Sequence, residues 1–264
     1  MTRAADLARR EAELARYYDL DMLDVRDDIG MYRSLAGETD GPVLELAVGS
    51  GRVAVALASD GHRVVGVDPD AAMLTRARAA WQAARGTAPS SRLRVVEADM
   101  TSFRSAQRFG LAILALNGLL LLPDDAARKA ALTTMRIHLR PGGLAVVDVS
   151  LPDAVELATS DGRLQLEWVR TDPETGDIVT KSMSARYDPD VGSVELTQIF
   201  DAVPFAGGSV RRLVRTDVLS LVGAAELRDL AARAGFGDID LRGDHRLTPL
   251  GPRSPRAVLL ARLV

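Results

Sequence analysis

The chain has 264 residues, 47% hydrophobic and 26% charged, a globular composition long enough to bury one large core or a core with an insertion. It contains no cysteine, which excludes disulfides, thiolate metal sites and a cysteine nucleophile. A formal net charge of −3 without any basic block argues against a nucleic-acid surface.

The N-terminus, MTRAADLARREAELARYYDL, is charged and helical and lacks the apolar core of a signal peptide. The apolar run LAILALNGLLLLP at 111–123 is too short to span a bilayer and is broken by Asn117-Gly118. A soluble, cytoplasmic protein is therefore expected, with no membrane or nucleic-acid partner and no metal.

In chain order, residues 3–36 carry helical periodicity through Leu7, Leu14, Ile29, Tyr32 and Leu35, ended by Gly41-Pro42. VLELAV reads as a buried strand, and RVAVALASDG as a short helix stopped by Gly61. HRVVGVD (62–68) is a second strand; the helix over 70–84 starts at Asp70, a natural N-cap. Strands follow at 92–99 and 109–116, then an amphipathic helix at 123–139 with Pro123 near its start. Pro141-Gly142-Gly143 reads as a stop before a fifth strand, LAVVDVS. This alternation predicts an α/β protein with a doubly wound, mostly parallel sheet.

Beyond residue 160 the apolar residues alternate by twos between turn clusters, predicting three or four antiparallel strands. Leu164, Leu166 and Trp168 are expected on one face, and Val194, Leu196, Gln198 and Phe200 on one face of another strand. An edge strand of this insertion could pair across a homodimer. A helix at 223–236, with Gly235 at its C-terminal end, and strands near 238–243 and 256–263 complete the chain.

Ligands of open α/β sheets bind outside the carboxyl ends of the strands. Gly49-x-Gly51-x-x-Ala54 follows the first core strand. Its glycines permit positive φ and close approach by a ligand, and the next helix offers free N–H groups to a pyrophosphate or a carboxylate. Asp68, seventeen residues after Gly51, ends the second strand, where it can accept from both ribose hydroxyls of NAD or of adenosylmethionine. Asp99, in VVEADM, can accept the adenine exocyclic N–H while Met100 covers the ring. A second acid at that depth is no part of the dinucleotide fingerprint, which disfavours an NAD-dependent oxidoreductase.

VLELAVGSGRVAVALASDGHRVVGVDPDAAML, then VVEADM, then LRPGGLAVVDV resemble the successive motifs of class I S-adenosylmethionine-dependent methyltransferases. The resemblance is strongest over 41–150 and reaches ELRDLAARAGF. It implies a Rossmann-like, seven-stranded sheet and S-adenosyl-L-methionine, or S-adenosyl-L-homocysteine after reaction, as cofactor. Glu45, Gly49 and Gly51 would surround the methionine amino and carboxylate groups. Asp68 would bind the ribose, with Pro69 and Met73 beside the adenosine, and Asp99 and Met100 would bind adenine. Asn117 would line the methyl-transfer site. Arg52 is either a partner of the cofactor carboxylate or a solvated helix-start residue. The family commonly has glycine where this chain has Ala47, a replacement tolerated if φ there is negative.

The N-terminal ARYYDLDMLDVRDDIGMYRSLA resembles the helical lid of small-molecule members such as sugar-amine and glycine N-methyltransferases. That makes Tyr17, Tyr18 and Tyr32 candidates for closing over the cofactor, with Tyr18 and Asn117 candidates for a catalytic role. The implied organisation is a lid at 1–40, a cofactor-binding core at 41–150, a β insertion at 151–222 and completion of the core sheet at 223–264. Trp168, Tyr187 and Phe200 are either acceptor-pocket or core residues.

The expected reaction is methyl transfer to an amine or hydroxyl of a small molecule, driven mainly by proximity. His62, His138 and His245 read as structural or surface residues, so no general base is visible. That favours an amine attacking as a neutral nucleophile, or an acidic hydroxyl. A cofactor-binding protein that no longer transfers methyl groups is the alternative.

Overall fold

The computed structural model describes residues 3–263. Its contacts divide the chain into two compact units, one of residues up to Asp24 with Pro152–Leu221, the other of Val25–Leu151 with Val222 onwards. No helix among the described residues is long and apolar enough to cross a membrane.

The second unit holds seven strands: β1 (Val43–Leu46), β2 (Val64–Asp68), β3 (Leu93–Glu97), β4 (Phe109–Leu114), β5 (Leu139–Ser150), β10 (Asp238–Arg242) and β11 (Arg256–Arg262). They form one sheet in the order β10-β11-β5-β4-β1-β2-β3. The pairs among β1–β5 are parallel, and β11 runs antiparallel to both β5 and β10. Every residue of β1, β2 and β4 is buried, as strands covered on both faces must be. The cover includes α2 (Ile29–Gly37), α3 (Arg52–Ser59), α4 (Ala71–Ala84), α5 (Asp125–His138) and α7 (Ala224–Arg233). On α3 the stripe Val53, Ala54, Leu57 and Ala58 goes inward, and Tyr32, Leu35 and Ala36 of α2 join the same cluster. Asp70 caps α4, accepting from the Ala72 and Met73 amides at 2.8 and 3.2 Å. Asp124 does the same for α5, at Ala127 N.

The first unit contains α1 (Arg3–Asp21), the short α6 (Ala154–Ser160) and an antiparallel sheet in the order β6-β7-β8-β9: Leu164–Thr171, Ile178–Asp188, Ser193–Val203 and Arg211–Ser220. Tyr17 and Leu20 of α1 pack with Val179, Phe200 and Ala202, the Tyr17 and Phe200 rings 5.2 Å apart. Polar contacts ring this cluster. Asp21 accepts from Trp168 Nε1 at 2.8 Å and from Lys181 Nζ at 2.6 Å, and Arg16 pairs with buried Asp172 at 2.9 Å. The helical stretch 3–36 is thus shared between the units: α1 lies with β6–β9, and α2 lies on α3.

Three local expectations are corrected. Leu164 and Leu166 lie opposite Ser184 and Ser182, but a bulge sets Trp168 opposite Lys181. The extra residue turns Trp168 to the other face, leaving Leu164 and Leu166 exposed and bringing the indole to the Tyr17 cluster. Pro141-Gly142-Gly143 does not precede β5 but is an irregularity inside it, the pairing jumping from Phe109↔Leu139 to Leu111↔Leu144. Ala47 does not have negative φ: it sits at +53°, in the turn where Gly49 and Gly51 have +53° and +87°. Bonds from Val48 N to Val67 O and from Gly51 N to Val48 O, both 3.0 Å, hold that turn in shape.

Ala47 in the left-handed region is a strain of about 1–2 kcal/mol for a residue with a Cβ, partly offset by the lower chain entropy it loses compared with glycine. Ala47→Gly should therefore raise stability by about 0.5–1 kcal/mol in thermal denaturation; a lower melting temperature would contradict the strain. A Cβ on Gly110 would fall 1.7 Å from the Asp40 carbonyl oxygen. Gly110→Ala should lose about 3 kcal/mol or more in a denaturant titration, and a loss under about 1 kcal/mol would show that this contact yields easily.

Candidate active site

The carboxyl ends of the parallel strands collect acids. Glu45 lies in β1, Asp68 ends β2, Asp99 follows β3 and Asp148 lies near the end of β5, while Asn117 occupies the turn after β4. Glu45, Asp68 and Asp148 are buried. Each needs an answer to its charge, because an unpaired buried carboxylate is costly.

Asp68 is answered by backbone. Its Oδ2 accepts from Gly49 N and its Oδ1 from Asp70 N, both at 2.9 Å. The carboxylate thereby ties the glycine turn to the tip of β2. Gly51 serves this geometry through its φ and through packing, since a Cβ there would lie 3.0 Å from the Ala77 methyl carbon. Its role lies between α3 and α4 as well as in any close approach by a ligand.

Asp148 is answered by charge. Its Oδ1 accepts from Arg256 Nε at 2.5 Å, and its Oδ2 lies 3.0 Å from His245 Nε2. Arg256 also reaches Asn117 Oδ1 at 3.3 Å, and that oxygen accepts from Ser150 N at 2.7 Å. Asn117, itself at φ +67°, is thus held against the end of β5. The other nitrogen of His245, Nδ1, lies 3.2 Å from Asp27 Oδ2. The Asp148 bond leads in holding the imidazole above the ordinary histidine range, against burial and the nearby Arg256.

The guanidinium fork of Arg52 is taken up within the chain rather than by solvent. It donates to Asp28 through Nη1 at 2.6 Å and Nη2 at 2.5 Å, and to the Val25 carbonyl at 3.0 Å. Asp28 is fully buried, so this bidentate pair fixes the entry to α2 against the first turn of α3.

Glu45 has no comparable partner. Burial pushes its carboxyl up to about 8, against the downward pull of Arg52 and of a hydrogen bond from the Ala54 amide, and aided by Asp28 and Asp68. Its Oε2 is buried without a hydrogen-bond partner, and so is the hydroxyl of Tyr32. Burial holds the Tyr32 phenol well above its usual range, with Asp148, Asp28 and Glu45 adding to the effect.

Of the remaining expected residues, Asp99 is exposed, and its Oδ1 accepts from Thr101 N and Oγ1 at 2.7 and 2.6 Å, which holds its carboxyl below the usual range. Met73 and Met100 are buried, and Pro69 is exposed on the turn beyond Asp68. Tyr18 lies half-buried on α1 in the other unit, as do Trp168 and Tyr187 on its strands; Phe200 is buried there, packed with Tyr17 and Trp168. His138 is neutral and structural: Nδ1 donates to Thr134 O at 2.7 Å and Nε2 accepts from Ser105 N at 2.9 Å. His62 precedes β2, at the opposite end of the sheet.

Sequence pattern does not single out Asp28, Asp148 or Arg256, and it reads His245 as a structural or surface residue. The acid of LAVVDVS was the one legible signal, an aspartate in a strand otherwise apolar. No group of three or more metal-ligating side chains occurs among the described residues.

A strained turn, buried acids and a helix N-terminus at the carboxyl end of a parallel sheet suit a ligand with hydroxyls and a charged amino-acid tail. Residues 43–143 match the methyltransferase-domain family. The chain is 30% identical over 138 residues to the cypemycin N-terminal methyltransferase of a Streptomyces species, and spans 51% of that relative's length. Its fold resembles that of the CcbJ methyltransferase from Streptomyces caelestis, with a TM-score of 0.72 and 23% identity over 90% of this chain and 96% of that one. SAM-bound CalS10, an amino pentose methyltransferase from Micromonospora echinaspora, aligns with a TM-score of 0.66 and 18% identity over 100% and 98% of the two chains. The family match thus covers residues 43–143, and the likeness of fold to solved methyltransferase structures extends over 90% of the chain or more.

Proposed function

We propose that the protein binds S-adenosylmethionine at the carboxyl ends of β1–β3 and transfers its methyl group to an amine or hydroxyl of a small molecule. The observation that carries this reading is the buried, unpartnered Oε2 of Glu45 beside the glycine turn. A cationic amino group is what that oxygen lacks, and the amides at the start of α3 suit the carboxylate of the same tail. The residues present therefore fit the cofactor.

When bound, the cofactor supplies a methyl group already activated on a sulfonium, so the protein's task is alignment. Asp68 enters binding pre-oriented by Gly49 and Asp70, aimed where ribose hydroxyls would donate. Asp99, its first oxygen steadied by Thr101, accepts the adenine amino group. Met73, Met100 and Pro69 flank the nucleoside. Arg52 acts through Asp28, holding the strap of residues 25–28 rather than the ligand. Asn117 remains an acceptor-side candidate in this reading, and an edge strand of the antiparallel sheet, β6 or β9, is where a second copy would pair. The amino pentose methyltransferase among the similar structures supports a small-molecule acceptor.

Formation of S-adenosylhomocysteine from the cofactor and a panel of small amines and alcohols tests the reaction. Asp99→Ala should weaken cofactor binding by about 10–100-fold, the loss of one charged hydrogen bond, with only a small fall in melting temperature from the lost bonds to Thr101. Unchanged affinity would remove Asp99 from the site.

Glu45 adds a proton test. Its folded pKa of about 8 lies above the unfolded value of 4.5. Its contribution to stability is thus fully present below pH 4.5 and is lost as pH rises through about 8. A cation lodged beside it favours the carboxylate. Cofactor binding at pH 7 should then release protons, seen by calorimetry in buffers of different ionisation enthalpy, and Glu45→Gln should abolish that release. Binding without proton release in the wild type would place the amino group elsewhere.

A further inference from the structure

We propose that the acceptor is an amine arriving as an ammonium ion, and that His245, oriented by Asp148, removes its proton at Nδ1 before methyl transfer. The inference rests on the methyltransferase reading above and names the substrate class for it.

His245 lies in the loop between β10 and β11, and β10 runs so that this loop stands at the carboxyl end of the sheet. Asp148 cannot turn away from it, since Arg256 holds the other carboxylate oxygen and the whole side chain is buried. The bond to Asp148 therefore keeps the proton on Nε2, and Nδ1 becomes the nitrogen that exchanges. This is the arrangement of a carboxylate-oriented base.

Nδ1 faces a different partner. Asp27 is 77% exposed and meets the ring at 3.2 Å. So exposed an ion pair is weak, and an incoming cation can take the place of the imidazole at Asp27. A second observation points the same way. The hydroxyl of Tyr32 is buried without a partner and within electrostatic reach of Asp148 and Asp28. A buried hydroxyl of this kind calls for a hydrogen-bonding ligand, and an ammonium or amine N–H supplies one. The charged groups facing His245 are Asp148 on β5, Asp27 ahead of α2 and Arg256 on β11, with Tyr32 on α2 within electrostatic reach of Asp148.

The step balances. An N–H bond of the ammonium breaks and its proton bonds to Nδ1, giving an imidazolium between carboxylates. The freed lone pair forms the N–C bond to the methyl carbon as the C–S bond breaks, with that electron pair left on sulfur. The imidazolium then returns its proton to water. Because the ring must be neutral to act, turnover rises with pH, through an ionisation above the ordinary histidine range.

The test uses the full chain with S-adenosylmethionine and three amine probes: ethanolamine, D-glucosamine and trialanine. Ethylene glycol, D-glucose and N-acetyl-trialanine are their neutral counterparts. S-adenosylhomocysteine release is followed across pH. The expected result is turnover with at least one amine and not with its neutral counterpart, with kcat rising through one ionisation. His245→Gln, whose amide nitrogen can keep the Asp148 bond, should lower kcat by about 100-fold or more and abolish that rise. Cofactor affinity should stay within about twofold, whereas a purely structural role would move it. Asp27→Asn should raise KM for the amine and shift the ionisation to lower pH. Equal turnover of the neutral probes, or a pH rise kept in His245→Gln, overturns this inference alone. Failure of the cofactor to bind, or of any probe to yield S-adenosylhomocysteine, overturns the methyltransferase reading and this inference with it.

Discussion

Four carboxylates, Asp28, Glu45, Asp68 and Asp148, are buried in the unit built on the parallel sheet, and the structure there is largely the set of ways it neutralises them. Asp68 takes backbone amides, Asp28 takes the fork of Arg52, and Asp148 takes Arg256 and His245. Glu45 takes too little and rises to about 8 instead. Leaving water is expensive for a charge, so each answered acid locks the groups that answer it. The glycine turn, the entry to α2 and the β10–β11 loop are each held in place by one of these acids.

The same bookkeeping separates two sides of the site. Toward β1 and β2, the incomplete neutralisation of Glu45 beside the glycine turn is what the proposed cofactor tail would complete. Toward β4 and β5, Asp148 organises His245, Arg256 and Asn117 into one hydrogen-bonded row. Asp28 and Tyr32 stand between these sides, since both act on Glu45 and Tyr32 also feels Asp148. The strap at 25–28 is thus coupled to both sides through Arg52 and His245.

Strand and helix patterning was legible where burial is two-sided or striped. The all-apolar β1, β2 and β4 and the stripe of α3 follow directly from residue type. Patterning misled where one residue shifts the phase. The bulge before Trp168 reverses its face, and the irregularity at Pro141-Gly142-Gly143 is absorbed inside β5. The short exposed α6 has no buried stripe to announce it. Ala47 adopts positive φ because the hydrogen bonds of Val48 and Gly51 in the turn that follows outweigh the preference of alanine.

What residue order alone determined is the succession of strands and helices, the glycine turn and the acids at neighbouring strand tips. These depend on periodicity and on short-range chemistry, which a linear sequence carries. What only the tertiary structure decided is which charge answers which. Arg52 meets Asp28 from 24 positions away, Arg256 meets Asp148 from 108, and His245 meets Asp27 from 218. Pairings of that range arise from how the chain returns to the sheet end, and no local pattern encodes them; that is why His245 reads as a loop residue in sequence and as a partner of Asp148 in the fold.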